Sequence, residues 1–232
     1  MMPVFPHDGL ALGEWLPEWD QSLCWACDSL FDRARIEDAL RPYSLAVFPT
    51  RGSRWAGMAT STAIDLRADV ARALACPPHV AVPMSGAPAI VLHEAGHTAI
   101  LRLAPAALGA RLADVAPTLA SGGHDPVFAA LVGVFYQRAG LLDIQINAYD
   151  CGWSSEGALD WPGPDWSLDW AHDFSQRHSA DAGDVAALVR AAIAEFESEF
   201  FAREARRCWW CPWRPRPSKN PFTVAAAWRR HR

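Results

Sequence analysis

The sequence predicts an α+β fold: a small antiparallel sheet packed on a central helix, with further helices around it. Three observations point there. Two stretches, YSLAVFPT and GMATSTAIDL, are rich in β-branched and small residues and are separated by RGSRWA, which suits a pair of strands. The run from Ala89 to Leu103 has no breaker except Gly96. An amphipathic pattern covers roughly residues 183 to 207.

Taken in order, residues 1 to 20 read as an irregular, proline-rich arm. A helix is expected from about Asp20 to Leu40, with Leu23, Cys27, Leu30, Phe31 and Ile36 near helical spacing and Pro42 closing it. The two strands follow. RADVARALAC is a short helix stopped by Pro77 and Pro78, and HVAVPM is an edge strand or an extended approach. Pro88 suits the first turn of the central helix, and Pro105 is expected to end it. HDPVFAALVGVFYQRAG opens the next helix, with Asp125 as N-cap, Pro126 as first helical residue and Gly140 as stop. Residues 141 to 181 are rich in Trp, Asp, Gly and Pro and read as a long structured loop region. The expected organisation is an N-terminal arm and helix (1–40), a main domain (41–207) and a basic Trp/Pro-rich tail (208–232).

Composition narrows the class. Half of the 232 residues are hydrophobic and a fifth are charged, as in soluble globular proteins. No apolar run reaches the ~18 residues needed to span a membrane. The N-terminus has neither a basic start nor an apolar core of signal-peptide length, so a cytoplasmic protein with no membrane partner is expected. Lysine is nearly absent (Lys219 alone) beside abundant arginine and alanine, which suggests a GC-rich bacterial genome. The net charge of −5 is uneven: residues 203 to 232 hold nine Arg or Lys and one acid, Glu204, a net of +8, which leaves −13 for the rest.

The chemistry is concentrated in VLHEAGHTAIL, residues 91 to 101. Positions four apart lie one above the other on a helix face, so His93 and His97 can aim two imidazole nitrogens at one point. Zinc takes such ligands at about 2.0–2.1 Å. Glu94 is rotated to the side of the pair. There it can reach a zinc-bound water without ligating the metal, accept its proton and later protonate a leaving amine. Burying two histidines and a carboxylate among Ile90, Val91, Leu92, Ile100 and Leu101 costs desolvation energy that a metal offsets. Gly96 costs about 1 kcal/mol in a helix interior, which points to a close approach by another backbone or a substrate. A catalytic site needs a third protein ligand. The candidates are His124, Asp125, Glu156, His172 and His178. His124 is favoured, because it follows two glycines and sits just outside the N-cap of the next helix.

HEAGH, followed after 26 intervening residues by His124 in GHDPVFAAL, resembles the SprT-like (Spartan-like) metallopeptidases. In that family a third histidine opens the next helix in a short H-x-x-x-F/W motif. The resemblance covers about residues 40 to 142. It implies a zincin-like fold, zinc held by His93, His97 and His124, and Glu94 as general base, with Phe128 matching the aromatic residue. Many members also carry a compact zinc ribbon with two close C-x-x-C pairs, which this chain lacks.

Four of six cysteines form two C-x-x-C pairs, Cys24/Cys27 and Cys208/Cys211, too far apart for a zinc finger. Together they are candidates for a second, structural metal that clips the N-terminal helix to the tail; the alternative is four ordinary buried thiols. The tail interleaves tryptophans with Arg214, Arg216, Arg229 and Arg230, the composition of a nucleic-acid contact, and DNA is a candidate partner. A basic tail folded against the acidic body is the competing reading. The expectation is therefore a zinc-dependent hydrolase of peptide bonds acting on a protein or peptide substrate. The alternatives are a zincin with an acidic third ligand, Glu156 or Asp125, and a non-catalytic zinc-stabilised binding or adaptor protein with a nucleic-acid-binding tail.

Overall fold

A computed structural model describes residues 15–51, 55–75, 86–109, 124–141, 166–181 and 184–209. Within them the chain is mixed α+β, mostly helical, with one three-stranded sheet. A 3-10 turn, Pro17–Trp19, leads into α1 (Asp20–Ala34), which buries Leu23, Cys24, Cys27, Leu30, Phe31 and Ala34.

The single helix expected from Asp20 to Leu40 is broken at Arg35, whose φ of 57° is left-handed. The Arg35 N–H reaches the Asp32 carbonyl and the Ile36 N–H reaches that of Phe31, closing the helix end. The core imposes the break. Phe31 and Ile36 are both fully buried, yet in an unbroken helix they would point about 140° apart. The chain resumes as α2 (Glu37–Leu40).

β1 (Ser44–Phe48), β2 (Gly57–Ala59) and β3 (Ala63–Arg67) form a sheet in the order β1-β3-β2. The expected antiparallel pair is corrected here. GMATSTAIDL is not one strand but the hairpin β2–β3, closed where Thr60 Oγ1 accepts the N–H groups of Thr62 and Ala63. β1 then pairs parallel to β3, with Leu45 opposite Ile64 and Val47 opposite Leu66. These four side chains are buried on one face, and β2 is left at the edge. α3 (Ala68–Ala75) follows β3 directly.

The central helix α4 (Ala87–Ala107) carries buried residues around most of its circumference, because the sheet, α1, α2, α3 and two later helices pack on it. It runs two residues past Pro105, the expected stop. The proline falls in the last turn, and the Leu108 N–H still reaches the Ala104 carbonyl at 2.8 Å. The Arg102 guanidinium donates to the carbonyls of Ala39, Leu40 and Arg41, which ties α2 to α4.

α5 (Pro126–Arg138) starts and stops as its sequence dictates. Asp125 is extended and accepts the Phe128 N–H at 2.9 Å, and Gly140 turns out of the helix at φ 72°. The Tyr136 hydroxyl donates to the Ala89 carbonyl at 2.9 Å, pinning α5 to the first turn of α4. α6 (Trp166–His178) corrects the loop expected over 141–181 at its C-terminal end; residues 142–165 lie outside the described residues. α7 (Val185–Trp209) packs on α4 and α5. Among the described residues no helix is long and apolar enough to cross a membrane.

At Gly96 side chains of α5 press against the backbone of α4. A Cβ there would stand 2.6 Å from Val132 Cγ2 and 3.4 Å from the Phe128 ring. The close approach at Gly96 is made by side chains of α5, not by the backbone or substrate expected there. Gly96→Ala is expected to destabilise the protein by about 1–3 kcal/mol through overpacking, although the same change in a free helix would stabilise it by about 1 kcal/mol. Urea melts of the two proteins read the sign; an unchanged or raised midpoint would mean that Val132 moves aside without cost.

Candidate metal centre

Helix geometry supplies two of the three groups. His93 and His97 lie one turn apart on α4, and their Nε2 atoms are 3.0 Å apart. The Asp125 cap supplies the third. It fixes where α5 begins, and His124, the residue before it, is turned toward α4. The His124 Nε2 lies 3.1 Å from that of His97 and 3.1 Å from that of His93. Phe128, one turn into α5, forms the floor. Its ring stacks on His97 at 4.2 Å between centroids and meets His93 edge-on at 4.9 Å. The glycine at position 96 is what lets this floor approach.

Three ring nitrogens this close form a cluster that suits a shared cation. Each Nε2 offers either one proton or one lone pair. The lone pairs that are not engaged with a proton converge on one point between the three rings. A cation at the centre relieves this. Burial, followed by the neighbouring His97 and His124, holds His93 well below the usual histidine range. The neutral imidazole so favoured is the form that ligates metals. The three histidines lie close enough to hold one metal ion, and among the described residues they are the one such group. Imidazole donors suit transition ions better than magnesium or calcium.

Glu94 stands beside this group and is not part of it. It is 6% exposed. Burial, and then the Asp65 carboxylate on β3, push it up to about 8. A carboxyl near neutrality can both take up and release a proton. Its side chain lies against Gly57 at the start of β2, where a Cβ would come 2.6 Å from Glu94 Cγ and 2.7 Å from Oε1.

The other sequence candidates fall elsewhere. Asp125 is fully buried as the α5 cap, and burial pushes it up to about 7 against the N–H groups of Phe128 and Val127. His172 is exposed on α6. His178 is engaged by Asp181 at 2.6 Å and Glu195 at 3.3 Å. Glu156 lies outside the described residues, as do Cys211, Arg214, Arg216, Arg229 and Arg230, and the side chain of Cys208. Cys24 and Cys27 are buried free thiols on α1, and burial raises both above the usual thiol range. Sequence reasoning missed Gly57 and Asp65. A glycine inside a strand pattern is the signal that could have found the first. No family model matches the chain, and no curated protein or solved structure matches it either.

Proposed function

We propose that the protein is a zinc metallopeptidase of SprT-like type with a zincin-like core. Zinc would be held by His93, His97 and His124, with Glu94 as general base. The observation that carries this reading is the convergence of three Nε2 atoms at 3.0–3.1 Å beside a buried carboxyl on the same helix. Three histidines leave a fourth zinc position open, as catalytic sites require and structural ones do not.

When bound, zinc supplies Lewis acidity and brings the pKa of water toward ~7. The chain's own groups do the rest. The rigid turn between His93 and His97 and the capped start of α5 hold the three imidazoles in place. Phe128 packs against all three imidazoles and holds their rings in place. Glu94 accepts a proton as water attacks the peptide carbonyl, and returns it to the leaving amine. β2 lies at the sheet edge over Glu94, and among the described residues it pairs with β3 alone. A free strand edge can take an extended peptide through main-chain hydrogen bonds, which favours a peptide over a small hydrolysable substrate. A purely structural metal site has no use for a carboxyl buried at such cost beside it.

The test is metal content and cleavage on the same preparation. About one zinc per chain is expected, with cleavage of a quenched fluorescent unfolded protein that stops on chelation and returns with zinc. Purified protein that retains no zinc, or cleavage indifferent to chelation, would overturn the reading.

A further inference from the structure

We propose that Gly57 is a positioning residue: its missing side chain is the space that holds the Glu94 carboxyl against the edge of the sheet. This rests on the reading of Glu94 as general base. A glycine in a strand gives up packing and conformational entropy, so it needs a reason. The backbone supplies none here. Gly140 has positive φ, and Gly57 does not. The reason is steric. A Cβ at residue 57 would stand 2.6 Å from Glu94 Cγ, 2.7 Å from Oε1 and 2.9 Å from Cδ. All three distances are closer than such atoms approach. Glu94 is itself buried, so it has little room to swing away and still reach a substrate.

The contact also sets the relation between the two functional elements. Gly57 lies opposite Leu66 in the register, and Leu66 is fully buried on the face that packs toward α4. Glu94 therefore enters a gap in that face. Alanine would fill the gap and push the carboxyl, or the strand, out of place. A misplacement of about 1 Å at a reacting group can cost on the order of 100-fold in rate.

Gly57→Ala is expected to lower kcat by about 10–100-fold. KM and zinc content should stay within about twofold, since the histidines and Phe128 are untouched. In the Glu94→Asp background, whose carboxylate is one methylene shorter, the same change should cost less than about threefold in the residual kcat. A second cycle needs neither metal nor substrate. Gly57→Ala should lower Tm by about 2–5 °C in the native background and in Glu94→Gln, which has the same shape. In Glu94→Ala it should leave Tm unchanged or raise it, because alanine suits a strand better than glycine. Wild-type kcat in Gly57→Ala would overturn the assignment, as would loss of zinc or an equal change in Tm in the native and Glu94→Ala backgrounds. A native protein without metal-dependent cleavage would instead sink the reading of the site, and the Tm cycle would still judge the contact.

Discussion

Replacing His124 with alanine should remove tight metal binding while leaving the fold intact. The Nε2 of His124 stands 3.1 Å from those of His93 and His97. Without it two donors from one helix remain. Loss of groups that merely orient metal ligands costs about 10–100-fold in affinity, so loss of a ligand should cost at least about 100-fold. The helix should survive, because its start is fixed by the Asp125 carboxylate on the Phe128 N–H and by Pro126, not by the histidine. Thermal stability of the metal-free variant should therefore match that of the metal-free native protein. His172→Ala and His178→Ala are the controls. The first residue is exposed on α6, and the second is held between Asp181 and Glu195; both variants should keep their metal. Competitive titration against a chromophoric chelator measures all three. Full affinity in His124→Ala together with loss in Glu156→Ala would transfer the third ligand to the glutamate.

What was legible in the sequence is what acts locally. Asp125, Pro126 and Gly140 each act on their own stretch of backbone, so both ends of α5 could be read without knowing what α5 touches. The pairing of His93 with His97 follows from helix pitch alone. His124 was readable because it adjoins a cap whose position was readable.

The local sequence is silent where distant parts of the chain decide. Nothing in YSLAVFPT states whether it pairs with the first or the second half of GMATSTAIDL; the return at Thr60 and the burial of Leu45, Val47, Ile64 and Leu66 on one face settle it together. No Gly or Pro marks the break at Arg35, which exists so that Phe31 and Ile36 can share the core. α6 was hidden by its polar composition. Its buried positions, Ser167, Trp170, Ala171, Phe174 and Ser175, do have helical spacing. Two of them are serines, however. Ser175 sits where a Cβ on Gly133 would come within 2.9 Å, and its hydroxyl accepts from Gln137 at 3.1 Å. The apolar stripe is only Trp170, Ala171 and Phe174, flanked by buried serines, and it does not stand out in a segment crowded with Trp, Asp, Gly and Pro.

Glu94→Gln should retain the metal and the fold and lose hydrolysis by about 10²–10⁴-fold, the usual cost of removing a general base. That corresponds to about 3–5 kcal/mol in the barrier. The amide keeps the shape that fits against Gly57, so neither β2 nor α4 has reason to move. It cannot accept a proton. In this variant loss of the proton acceptor and loss of metal separate cleanly, because the carboxyl stands outside the three-histidine group. Zinc content equal to that of the native protein is therefore part of the expected result, and it distinguishes a base from a ligand. The fall should appear in kcat with KM little changed, since the interaction lost is made in the transition state and not in the bound substrate. Glu94→Asp should fall between the two proteins, as its carboxylate is one methylene short of its place. Native rates in Glu94→Gln would remove Glu94 from the reaction. Loss of zinc in the same variant would make the carboxyl part of the metal's support, and a different group would then have to carry the proton.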